Sequence, residues 1–158
     1  MTTFTAIHVL LSLFGIISGL LVLFGLITAR TMRRPTLIFL GTTFATSITG
    51  FFFPFHGFTP ALGVGIVSVV ILIAVIAARY LFRLTGAWRW VYVTGAIAAL
   101  YFNSFVLVVQ AFLKIPRLHV LAPTGSEPPF ALAQALVLAF YLVAGALAMK
   151  GFRRAVPE

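Results

Sequence analysis

Five apolar runs of about 20 residues follow one another along the chain, roughly 4–29, 35–55, 60–82, 87–113 and 129–149, with short gaps between them. A hydrocarbon core about 30 Å thick needs about 20 residues of α-helix to cross it, at 1.5 Å per residue. The spacing therefore predicts an all-α integral membrane bundle of five transmembrane helices in a single domain, 1–158. Composition agrees: 62% of the residues are hydrophobic and 8% are charged, against about 45–50% and 25% in ordinary soluble chains.

The first run does not read as a cleaved secretory signal, which carries a basic start and a shorter apolar stretch of about 7–15 residues. Here the start, Met1-Thr2-Thr3-Phe4-Thr5, is uncharged, and Arg30, Arg33 and Arg34 come after the run. The basic residues also orient the bundle, because short cytoplasmic loops hold an excess of Lys and Arg. Arg30, Arg33, Arg34, Arg79, Arg83, Arg89, Lys150, Arg153 and Arg154 fall on one side, and only Lys114 and Arg117 on the other. This alternation predicts the N-terminus outside and the C-terminus inside.

The net charge of +9 is then mostly topology, together with attraction to anionic lipids on the cytoplasmic face. Nucleic-acid binding would need a basic face on a soluble module, and five spans leave no room for one. Trp88, Trp90, Tyr80 and Tyr92 gather at the same boundary as an aromatic belt, and Arg79, inside the third run, is expected to snorkel outward. Gly15 and Gly19 form a GxxxG pair that lets another helix approach closely, either within the bundle or in a homo-oligomer or membrane complex.

Polar residues inside the spans are the main functional clue, since lipid makes them expensive. His8 and Ser12 in the first run, Asn103 and Gln110 in the fourth and Gln134 in the fifth all fall in the outer half. Asn103 and Gln110, seven apart, share a helix face. Thr42, Thr46, Thr49, Phe53 and His56 form a stripe at spacings of four and three. His8 and His56 lie at matching distances from the turn between their helices, so the pair has the geometry to hold a metal or a haem, or to hydrogen-bond a quinone or lipid headgroup. His119 lies in the loop 114–128, which ends in Ser126-Glu127-Pro128-Pro129, a helix-start signal. Glu127 suits the positive dipole of the fifth helix or, at the rim, a ligand.

Several functions recede on these residues. No run contains Asp or Glu, and the chain has no Cys, which removes the carboxylate relay of most ion-coupled transporters and the thiol nucleophile. Segments Thr46-Ser47-Ile48-Thr49-Gly50-Phe51-Phe52-Phe53-Pro54 and Ala122-Pro123-Thr124-Gly125-Ser126-Glu127-Pro128-Pro129-Phe130 resemble those of small uncharacterised bacterial inner-membrane proteins. The resemblance implies a multi-pass protein of the bacterial inner membrane and transfers no functional residue. The reading is a non-enzymatic binding or accessory subunit. Its polar, outward-facing cavity for a small or lipid-like ligand would be lined by His8, Ser12, His56, Asn103, Gln110 and Gln134, with Glu127 at the rim. Two alternatives stand beside it: a redox protein with His8 and His56 as metal or haem ligands or as a quinone contact, and a small oligomeric channel or permease.

Overall fold

The computed structural model describes residues 3–30, 32–54, 57 and 60–154. Among these it is entirely helical: α1 (Thr3–Ile27), α2 (Arg33–Gly50), α3 (Pro60–Ile76) with a terminal π-helical turn (Ala77–Leu81), α4 (Trp88–Lys114), the short α5 (Pro116–His119) and α6 (Pro128–Arg154). Each of the five apolar runs holds one long helix. Four are long and apolar enough to cross a membrane: α1, α3 with its π turn, α4 and α6. α2 is the exception, because Arg33 and Arg34 open it and Thr36, Thr42, Thr43, Thr46, Ser47 and Thr49 interrupt its apolar residues.

Those hydroxyls do not reach outward for water. Thr36, Thr42, Thr46, Ser47 and Thr49 each donate to the carbonyl four residues earlier, at 2.7–3.0 Å. The helix thus satisfies these five hydroxyls, though not that of Thr43, from its own backbone. It ends at Gly50, five residues short of the apolar run, for a local reason. Pro54 disfavours the α conformation at Phe53, and the chain tightens into i→i−3 bonds at Phe51, Phe52 and Phe53.

α4 touches every other long helix, while α3, α2, α1 and α6 form an arc around it; α3 and α6, at the ends of the arc, share no contact among the described residues. The interior is small and partly polar, with Ser18, Thr36, Thr43, Ala96, Ala99, Asn103, Ala144 and Ala148 buried, and the exterior is apolar. On α1, Leu10, Phe14, Ile17, Leu21 and Phe24 are exposed at helical spacing, as are Leu132, Leu136, Phe140, Val143 and Leu147 on α6. Soluble monomers do not carry apolar surfaces of that extent. The architecture is that of a multi-pass membrane protein.

The helices approach where side chains are absent. A Cβ on Gly19 would stand 2.6 Å from Leu100 Cδ1 and 2.9 Å from Phe39 Cδ2, so the GxxxG seam of α1 packs inside the bundle against α2 and α4. At the far end of α6, a Cβ on Gly151 would meet the carbonyl oxygens of Ile27 and Leu26, the latter at 2.6 Å. Backbone cannot yield there as a flexible side chain can. Gly151→Ala should therefore destabilise the bundle by about 1–3 kcal/mol, the usual range for overpacking. Gly41→Ala, where a Cβ meets nothing within 4 Å, should be neutral or stabilising by up to about 1 kcal/mol. Unfolding of both variants in mild detergent checks the pair; equal stabilities would remove the α1–α6 contact as a structural constraint.

α1 closes with Ala29 at φ 58°, Thr28 N–H donating to Phe24 O at 3.0 Å and Arg30 N–H to Gly25 O at 2.9 Å. Glycine usually occupies this left-handed position, because a Cβ costs about 1–2 kcal/mol there. Ala29→Gly should accordingly raise the melting temperature, and a lowered one would contradict this reading of the turn.

Candidate functional site

The polar residues of the spans meet mainly at helix–helix contacts in the half of the bundle nearer the start of α1. Ser12 Oγ donates to Asn103 Oδ1 at 2.7 Å, and Asn103 Nδ2 donates back to Ser12 O at 3.3 Å. This reciprocal pair joins α1 to α4. One turn along α1, Gly15 leaves room for it: the place where its Cβ would stand lies 3.0 Å from Asn103 Nδ2 and 2.8 Å from Thr43 Oγ1 of α2. Three helices therefore converge on one small polar centre. Thr43 Oγ1 is buried there without a hydrogen-bond partner.

His8 stands one turn nearer the N-terminus, half-buried. Its Nδ1 shares a 2.8 Å hydrogen bond with Thr49 Oγ1, and since Thr49 donates to Ala45 O, the imidazole nitrogen is the donor if that hydroxyl keeps its backbone bond. The ring meets Phe53 edge-on, centroids 5.0 Å apart. Thr49 and Phe53 of the stripe thus face His8; His56 lies outside the described residues, and with it the matched-histidine geometry. Among the described residues no group of three or more His, Asp or Glu side chains is placed to hold a metal ion.

The remaining candidates separate. Gln134 Nε2 donates to Phe105 O at 3.2 Å, tying α6 to α4, and its buried Oε1 has no partner. Gln110 is exposed, on the same helix as Asn103 but away from the polar centre. One contact had no sequence signal beyond helical spacing: Ser104 and Tyr141 hydroxyls meet at 2.8 Å in the buried α4–α6 interface.

Glu127 belongs to the loop. Its carboxylate accepts from the Thr124 and Ser126 backbone N–H groups, both at 3.0 Å, and from the Thr124 hydroxyl at 2.9 Å. Its own carbonyl accepts the first helical bonds of α6 from Phe130 and Ala131. The side chain therefore folds back to fix the turn before α6. These bonds, that of the Thr124 backbone first, hold its pKa at about 2, below the ordinary 4.5. A depressed carboxylate stabilises the fold above its unfolded pKa and loses that contribution as pH falls, here between about 4.5 and about 2. Hydrogen exchange at the Thr124 and Ser126 amides should be faster in Glu127→Gln than in wild type at pH 7, with the difference closing near pH 2; equal rates at pH 7 would refute the turn's dependence on the charge.

At the opposite, basic end the structure opens a cleft of about 100 Å³, bounded by α1, α2, the π turn, α4 and Phe152 of α6. The π turn lies within the last turn of the α3 span. Phe82 N–H donates to Ala77 O and Leu84 N–H to Ala78 O, both at 2.9 Å. A π turn adds a residue to the helical repeat, which rotates the side chains beyond it by about 100° relative to a continued α-helix. Arg79 is half-buried, its guanidinium carbon 5.2 Å from the Tyr92 ring and 5.8 Å from the Tyr80 ring. Tyr92 is only 2% exposed, so it belongs to the core beneath Arg79 rather than to an interfacial belt. Trp88 instead stacks on Phe82, centroids 3.8 Å apart.

Comparison with protein-family models, curated proteins and solved structures finds no match to this chain. The site must be judged on its own chemistry. A double-mutant cycle on Ser12→Ala and Asn103→Ala, read by unfolding in detergent, should return a coupling of about 0.6–1.7 kcal/mol, the range for interhelical hydrogen bonds in membranes. Strict additivity would leave the reciprocal pair without energetic weight.

Proposed function

We propose that the chain is a five-span protein of the bacterial inner membrane, N-terminus outside, acting as a non-enzymatic binding or accessory subunit for a small or lipid-like ligand. The observation that carries this reading is the use made of the interior polar groups. Ser12, Asn103, Ser104 and Tyr141 are consumed in neutral contacts between helices, a scaffold rather than a reacting set. By sequence no span supplies a carboxylate or a thiol. The groups left for recognition in the outer half are His8, Gln134 with its unpaired Oε1 and the exposed Gln110. They are suited to hydrogen bonds with a neutral polar head attached to an apolar body. Glu127 would stand at the rim and anionic lipid on the cytoplasmic face. The large apolar exterior accepts lipid or partner helices equally.

The fifth span is supported by the five back-bonded hydroxyls of α2, since a hydroxyl that donates to its own helix needs no water. The basic residues support the orientation. With no cysteine in the sequence, the chain is its own unreactive background. A membrane-impermeant maleimide added to intact spheroplasts should label Thr124→Cys and spare Thr85→Cys. Labelling of Thr85→Cys with Thr124→Cys spared would overturn the orientation. A C-terminal fluorescent fusion should be active in the cytoplasm while an N-terminal tag is reached from outside; both termini on one side would replace five spans with four.

Binding is tested by native mass spectrometry and a visible spectrum of protein purified in mild detergent. A small-molecule adduct lost on His8→Ala or Gln134→Ala supports the reading. A haem band or stoichiometric metal lost on His8→Ala would replace it with a histidine-ligated redox protein.

A further inference from the structure

Arg79 is the charge the scaffold does not explain. The carboxyl end of a helix attracts cations, which accounts for Arg30, exposed just beyond α1. The same attraction serves Arg79, in the last turn of the α3 span, but it does not account for its guanidinium being half-buried with two tyrosine rings beside it. Among the described residues the sole carboxylate is Glu127, at the start of α6. Gly151, near the other end of that helix, is the residue packed beside the cleft at Leu26 and Ile27. The stretch of α6 between them is roughly 36 Å long at helical rise.

The cleft brings two guanidinium-bearing residues to one place. Arg30, Arg79 and Tyr92 line its polar side together with Thr36, whose hydroxyl already donates to Met32 O, and Leu26 and Phe152 line its apolar side. Thr36 and Tyr92 are both 2% exposed, so the floor is fixed. About 100 Å³ is several times the roughly 10–15 Å³ that one water requires by the same measure, enough for a small tetrahedral anion. A guanidinium presents a planar fork of donors that matches phosphate oxygens. Beside the cleft, Tyr80 and Leu81 are 50% and 71% exposed, an apolar surface continuous with the outside of the span.

We propose that this cleft binds a phosphate group, and that the phosphate is carried by an anionic phospholipid. Arg79 and Arg30 grip the headgroup, and the acyl chains lie along the exposed apolar flank of α3. The proposal rests on the anionic lipid proposed above for the cytoplasmic face and gives it a site and residues of its own, separate from the ligand of the outer half.

The test offers purified protein in mild detergent equal amounts of phosphatidylglycerol and phosphatidylcholine and reads retained lipid by native mass spectrometry. Wild type should keep one phosphatidylglycerol per chain in preference to phosphatidylcholine. Arg79→Gln should lower that retention at least about tenfold, the equivalent of one charge-assisted hydrogen bond, Arg79→Lys should lower it less, and Arg117→Gln, at the opposite end, should not change it. Should Arg79→Gln fail to fold, Arg30→Gln, altered at an exposed residue, carries the same expectation of reduced retention. Equal retention of the two lipids by wild type, or no loss in the cleft variants, overturns the proposal. Inorganic phosphate separates the sources: thermal stabilisation by phosphate alone, without preference for phosphatidylglycerol, overturns the lipid assignment in favour of a free anion. Detergent removes sidedness, so failure here leaves the proposed orientation untouched, and a failed orientation leaves the lipid measurement readable.

Discussion

Without water, a polar group inside the bundle must find its partner in protein, and that requirement organises the structure more than hydrophobicity does. Apolar surface is worth little between helices already surrounded by hydrocarbon, so close approach and hydrogen bonding decide which helices meet. Both operate at one place. Gly15 and Gly19 bring α1 against α2 and α4, and the short distance lets Ser12 and Asn103 bond twice. Lengthening that approach by a side chain would separate the polar pair as well as the backbones.

The same requirement separates the two ends of the molecule. Near the start of α1 the polar side chains within the apolar runs include no Lys, Arg, Asp or Glu, and they find partners across helices, as His8 does in Thr49 and Gln134 in the Phe105 carbonyl. At the other end the charge is positive, and Arg79 lies over the Tyr92 and Tyr80 rings. Ring faces attract cations but hold only part of what a guanidinium gives up on leaving water. On the proposed reading, a lipid phosphate supplies the remainder at the basic end.

Helix positions were legible in the sequence because lipid imposes a length, and length is a one-dimensional property. The α2 terminus was less so: the apolar Phe51-Phe52-Phe53 continued the run, but Pro54 governed the backbone. Partner choice was less legible still. A spacing of seven places Asn103 and Gln110 on one face of α4, yet only Asn103 is covered by a neighbouring helix; spacing fixes a direction but not what lies in it. Tyr92 lies in the core of α4 rather than in an interfacial belt, because neighbouring helices and the Arg79 side chain cover it, and that cover leaves no pattern in a list of residues. The contribution of His56 falls outside the described residues.

The back-bonded hydroxyls of α2 have a consequence for biogenesis. A segment with two arginines and six hydroxyl side chains partitions into lipid less readily than its neighbours, and its internal bonds lower that penalty only once it is helical. On the five-span reading, α2 depends on α1, the more apolar of the two. The two would leave the insertion machinery as a hairpin, with the glycine seam closing before either helix is released to the bilayer. Timing of synthesis, as much as final energy, would then shape this half of the bundle.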